Sequence, residues 1–192
     1  MSYSLKLLTV NISLILIVIG LLTMNFSWGH KIDQEMSEEG KMMYGFVGKT
    51  GKDLGLKYGM NPDGIGGGAT KEGIWLMCLS FEKRGDSLTE QQARKLITSN
   101  ANDFLELINN DERLKPFLKE YPFTIKNIKL SIHSSDHNGN SYADPFIATV
   151  NISRGEIGYF TFEIADRFPY KTEKYELFEE SIAILKEEKK AE

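Results

Sequence analysis

The run Gly73-Ile-Trp-Leu-Met-Cys-Leu-Ser-Phe-Glu82 constrains the fold more than any other stretch of the chain. In an extended backbone, Ile74, Leu76, Cys78 and Ser80 share one face, and Trp75, Met77, Leu79 and Phe81 share the other. Both faces are mostly apolar, whereas a strand with one wet face alternates apolar and polar. The run therefore reads as a central strand covered on both sides. The helix that follows can meet only one face. The other face calls for cover by the last helix, the glycine-rich segment or a partner, because a contiguous apolar patch is rarely left in water. The last helix is the expected cover.

After this strand, Ser87-Leu-Thr-Glu90 reads as a capping box. A helix follows to about Asn109, with Ala93, Leu96, Ile97, Ala101, Phe104, Leu105 and Ile108 on one face. Arg94, Lys95, Asn102, Asp103 and Glu106 lie largely away from it. A second strand, Phe123 to His133, changes phase at Asn127 and needs a bulge there. A third, Phe146 to Ile152, points Phe146, Ala148, Val150 and Ile152 one way. A fourth, Ile157 to Ala165, points Phe160, Phe162 and Ile164 inward, and Tyr159, Thr161 and Glu163 outward. A last helix starts near Thr172, with Tyr175, Phe178, Ile182 and Leu185 on one face. The prediction is an α+β domain over residues 73–192. Its four-stranded, mostly antiparallel sheet packs on one long helix, with a C-terminal helix after it, in the order β-α-β-β-β-α. The strand-helix-strand start allows one parallel pair through a right-handed crossover.

The chain ahead of this domain divides in two. Leu7 to Met24 is strongly apolar, and from Leu7 to Phe26 the span is 20 residues, enough to cross a bilayer. Residues 1–29 read as a signal anchor or a signal peptide. Ser27-Trp28-Gly29 is a poor cleavage signal, and Trp28 with Phe26 suits a membrane interface, which favours a retained anchor. The expected location is a single-pass membrane protein with its C-terminal domain extracytoplasmic, or a secreted one if the segment is cleaved. Residues 30–72 read as a polar stalk and a glycine-rich connector. Eleven of the 17 glycines fall between Gly40 and Gly73. Gly51, Gly55 and Gly59 would form a smooth packing stripe on a helix. Each glycine costs a helix about 1 kcal/mol relative to alanine, so the connector is the favoured reading. Gly64 to Gly68 reads as irregular.

The net charge of −4 gives no basic footprint for nucleic acid. The single cysteine, Cys78, can make neither an internal disulfide nor a cysteine-based zinc cage. Gly48-Lys-Thr50 resembles the end of a phosphate loop but has Met43 where its first glycine belongs. Gly64-Ile-Gly-Gly-Gly-Ala69 precedes a strand, whereas a dinucleotide turn must follow one. No cofactor is expected. His133, Asp136 and His137 supply imidazole and carboxylate, the donors of a metal or acid-base site. However, Asn138-Gly139 between alternating strands is a hairpin signal, and a hairpin end carries polar residues. A calcium loop fails at Ser141 and Ile147. The leading expectation is a membrane-anchored, non-catalytic module that engages another protein or itself. The alternatives are a small metal-dependent hydrolase using His133, Asp136 and His137, and a binder of lipid or another apolar ligand.

Overall fold

The computed structural model describes residues 36–163 and 170–191. The membrane segment expected at Leu7 to Met24 lies outside them, as do Ile164 and Ala165 at the end of the expected fourth strand. Among the described residues, no helix is long and apolar enough to cross a membrane.

The first element is helix α1, Glu38–Tyr58. The Ser37 hydroxyl caps it by accepting from the Gly40 amide at 3.2 Å, and Glu38 and Glu39 place negative charge at the positive end of the helix. Gly59, in the left-handed region at φ 63°, ends it. Two antiparallel strands follow, β1 (Asn61–Thr70) and β2 (Gly73–Arg84), then helix α2 (Glu90–Asn110). Strands β3 (Ile128–Ser135), β4 (Thr149–Ser153), β5 (Glu156–Phe162) and β6 (Tyr170–Leu177) come next, and helix α3 (Phe178–Ala191) closes the chain. The sheet has six strands in chain order, β1 to β6. Every neighbouring pair is antiparallel except β2 and β3, which run parallel with α2 as their crossover.

The α+β class is as the sequence predicts, but the sheet has six strands rather than four. The two extra strands are β1 and β6. The glycine-rich stretch is no connector: it forms the second half of α1 and the whole of β1. Its glycines let neighbouring atoms approach closely. A Cβ on Gly51 would stand 3.0 Å from the Leu79 side chain, and one on Gly55 would stand 2.7 Å from the Met60 carbonyl oxygen. The helical cost of glycine is offset by this close seat on the sheet.

One sheet face carries the core. Met77, Leu79 and Phe81 of β2 sit beside Ile128, Leu130 and Ile132 of β3, all buried, and Val150, Ile152, Ile157 and Tyr159 extend the layer. Helix α2 seals it with Ala93, Ile97, Ala101, Phe104 and Ile108, each fully buried, as its spacing predicts. Its cap is Thr89 rather than Ser87: the Thr89 hydroxyl accepts from the Gln92 amide at 3.3 Å, and the Gln92 side chain accepts from the Thr89 amide at 2.9 Å.

Four further expectations are corrected. In β2 the pairing skips Trp75, since Gly68 faces Leu76 and Ala69 faces Ile74. This bulge puts Ile74 in the core and leaves Trp75 46% exposed. The last helix does not cover it; α3 packs near α2 and β6. The phase change at Asn127 is absorbed by a short 3-10 turn, Ile125–Asn127, so the strand begins only at Ile128. In β5 the faces are reversed: Tyr159 and Thr161 point to the helices, while Phe160 and Phe162 lie on the opposite face, tilted and stacked respectively against Tyr170 at 4.8 and 5.0 Å between ring centres. The helix expected from Thr172 starts at Phe178, because residues 170–177 pair with β5 instead.

Candidate functional site

The three side chains of the alternative metal or acid-base reading turn to different neighbours. His133 extends from β3 and its Nδ1 lies 3.1 Å from the Thr149 hydroxyl. Asp136 opens the turn that Asn138-Gly139 makes. Its carboxylate accepts from the Asn138 and Asn140 amides at 2.8 and 2.9 Å and from the Asn140 side chain at 3.0 Å. The bonds from Asn140 first, then those from Asn138 and Gly139, hold the Asp136 carboxyl below the usual carboxylate range. His137 turns toward Gly85. Among the described residues, no group of three or more His, Cys, Asp or Glu is placed to hold a metal ion. Ser135 donates to Glu82 at 3.0 Å and not to a histidine. Cys78 is half-buried; burial pushes its thiol up, and Lys129 opposes that only in part.

A polar cluster that the spacing of α2 placed in solvent is buried instead. Arg94 reaches Glu176 of β6 with Nε at 2.8 Å and Nη2 at 3.0 Å, and Glu90 with Nη2 at 2.6 Å. Both side chains of the Arg94–Glu176 pair are 7% exposed. Tyr159 and Ser181 each donate to Glu176 Oε1 at 2.5 Å. Burial pushes the Glu176 carboxyl up, but the bonds from Arg94, Ser181 and Tyr159 outweigh it and hold the group at about 2. The same burial, then Glu176 itself, push the Tyr159 hydroxyl up. These polar atoms are spent on one another, so the cluster reads as a structural tie.

A broad concavity lies in the helical layer. It is a groove of about 790 Å³ between α1 and the C-terminal end of α2 with the segment after it. Elsewhere along the same two helices, the Tyr58 hydroxyl donates to Asp103 at 2.6 Å and Lys57 pairs with the same carboxylate. On the α1 side, Glu38, Lys41, Met42, Gly45, Phe46, Lys49, Thr50 and Asp53 line the groove. This is one helical stripe of spacing three and four, and from Glu38 to Asp53 it runs about 22 Å at 1.5 Å per residue. Leu107, Asp111, Arg113 and Phe117 stand opposite. Met42, Phe46 and Phe117 are half-buried against the core, and Leu107 is 42% exposed. An atom added at Gly45 would meet nothing within 4 Å, so the groove is open at its middle.

The groove rim is charged but internally paired. Lys41 meets Glu38 at 3.5 Å, Lys49 meets Asp53 at 2.6 Å, and Arg113 meets Asp111 at 2.6 Å. An apolar middle inside a polar rim is the anatomy of a protein interface. Sequence reasoning missed the groove because half of its wall sits in the stretch read as a connector. The spacing of Met42, Phe46 and Lys49 was the available signal. Comparison with protein-family models, curated proteins and solved structures finds no match for this chain.

Proposed function

We propose that this protein is a non-catalytic interaction module, held at a membrane by the apolar segment Leu7 to Met24, with its α+β domain extracytoplasmic. The groove between α1 and α2 receives an amphipathic helix of a partner protein. The observation that carries the reading is the four-turn stripe of α1 facing Leu107 and Phe117 across an open trough. A partner helix inserts apolar side chains at intervals of three and four, and a trough of this length accepts about four turns. The paired rim charges need no counter-charge from the partner, so apolar contact at the middle supplies the affinity.

The experiment uses the full chain in its native membrane with a photoreactive residue at Gly45. A discrete protein adduct is expected, mapped by mass spectrometry to a helical segment, and it is lost in Leu107→Glu while the circular dichroism of the domain is unchanged. An adduct to lipid instead would replace this reading with that of an apolar-ligand binder. An adduct indifferent to Leu107→Glu would refute the groove as the docking site. Full-length chain that fractionates as soluble and unprocessed would remove the membrane half of the proposal.

A further inference from the structure

The two outer edges of the sheet are built differently. β6 closes one side, and its exposed residues include Lys171, Glu173 and Lys174. Charges of this kind keep an edge from pairing with another chain. β1 closes the other side, and among the described residues no strand pairs with its outer edge. Pro62 and the bulge at Asp63 blunt only its start. From Gly64 to Thr70 it carries no charge and no proline. In an antiparallel ladder alternate residues turn their amide and carbonyl away from the neighbour, so this stretch offers hydrogen-bonding groups to a further strand.

Gly66, Gly67 and Gly68 are bare for different reasons. On the helix side, a Cβ on Gly67 would stand 2.3 Å from the Met43 sulfur, so the fold of one chain excludes a side chain there. On the opposite face, the Trp75 indole lies over Gly68, where a Cβ would stand 2.3 Å from the ring. Gly66 shares that face, but nothing in its own chain crowds it. A Cβ there would stand 3.9 Å from the Cβ of Cys78, an ordinary contact, and its φ is outside the left-handed region. The fold of one chain therefore gives no reason for a bare position at Gly66. The Trp75 ring beside it is half-exposed and reaches from β2 across Gly68 toward the outer edge.

We propose that the β1 edge is a self-association surface, where β1 of a second copy of this chain adds antiparallel across a two-fold axis at Gly67. The two sheets become one, with the helices of both copies on the same side. Charge and shape select the same register. Asp63 stands near the start of β1 and Lys71 just past its end, and pairing centred on Gly67 sets Asp63 of each copy opposite Lys71 of the other. The neighbouring Glu72 is paired with Lys119 at 2.7 Å, so its charge is already met. This register also sets Gly66 opposite Gly68 of the second copy, beside the Trp75 ring that covers it. The bare Gly66 is the space that ring needs. The two indoles lie diagonally across the axis, a separation that aromatic side chains bridge. On the helix side, the exposed Ile65 meets Ala69 of the second copy. A foreign strand would satisfy the backbone, but the chain's own β1 brings both the opposite charge and an overhanging ring to the bare position. A single strand pair is a small interface, so the dimer dissociates in the micromolar range. This surface stands apart from the groove between α1 and α2.

The test follows the full chain in mild detergent by sedimentation velocity, at concentrations from about 1 µM to 1 mM. The expected result is a reversible monomer–dimer equilibrium. Gly66→Thr, at a position with room for its Cβ, should keep the circular dichroism of the domain and weaken the dimer about tenfold or more. Asp63→Lys should weaken it by like-charge contact, and Asp63→Lys with Lys71→Asp should restore it. Should Gly66→Thr disturb the circular dichroism, the charge swap carries the test alone. Crosslinking reads the register in a Cys78→Ser background: a mixture of Asp63→Cys and Lys71→Cys chains should form a disulfide-linked dimer on mild oxidation, and neither chain alone should. A wild-type chain that stays monomeric throughout overturns the proposal. So does a dimer unmoved by a folded Gly66→Thr, a dimer that the double charge swap does not restore, or a disulfide formed by one cysteine variant alone. In the native membrane, a bifunctional thiol reagent that joins these cysteines to a different protein, and not to a second copy, would give the edge to another chain's strand and overturn it too.

Discussion

Along the seam between β2 and β3, Met77 faces Ile128, Leu79 faces Leu130 and Phe81 faces Ile132, and all six side chains are buried with no polar atom to satisfy. At the seam between α2 and β6, Arg94 and Glu176 are buried nearly as deeply, but every contact there is a charge or a hydrogen bond. The difference is in how each seam fails. Apolar packing weakens in proportion to the atoms removed. A buried ionic cluster loses one member and leaves the others desolvated and unpaired, which costs more than the pair ever contributed. The dry seam therefore supplies stability, while the ionic seam fixes where β6 and α3 dock. Only Phe178 and Ser181 of α3 are buried among the residues described there, and Ser181 belongs to the cluster itself.

The largest effect should break the ionic seam. Glu176→Ala strands Arg94 and the Tyr159 and Ser181 hydroxyls, and should cost about 3–5 kcal/mol in urea denaturation. The folded carboxyl at about 2 lies below its ordinary 4.5, so its stabilisation is complete above about pH 4.5 and is lost as pH falls toward 2. That acid limb should flatten in the variant. A cost below about 1 kcal/mol, the range of exposed pairs, would mean the cluster is solvated and the comparison fails.

Leu130→Ala tests the other seam. It should cost about 2–5 kcal/mol, with no change in the acid limb, since no titrating group is touched. A pH-dependent loss would show that the two seams are coupled. The smallest expected effect belongs to α2, which spans both seams. Thr89→Ala removes its cap and should cost about 0.5–2 kcal/mol, whereas Ser87→Ala should leave the denaturation midpoint in place. Equal losses would move the start of α2 back toward Ser87.

Several features were legible from the chain alone because local chemistry decides them. The spacing of Ala93, Ile97, Ala101, Phe104 and Ile108 admits one helical face, and that face is the buried one. The alternation of Ile128, Leu130 and Ile132 determines their common direction, and Asn138-Gly139 determines a turn. The parallel pair was accessible too, since a helix of that length between two strands brings them side by side. Tertiary structure decided the rest, wherever local preference was weak or misleading. Glycines disfavour both helix and strand locally, so α1 and β1 depend on packing against each other and on β2, and Gly51 lets α1 approach the Leu79 side chain closely. Residues 170–177 carry no apolar alternation, and β6 forms because β5 offers an open edge. Tyr159 turns toward the helices because its hydroxyl finds Glu176 there, and Arg94 is buried for the same carboxylate, 82 residues away in the chain. No pattern within α2 or β5 contains that partner. The groove was hidden for the same reason: it is lined by segments that only the fold brings together.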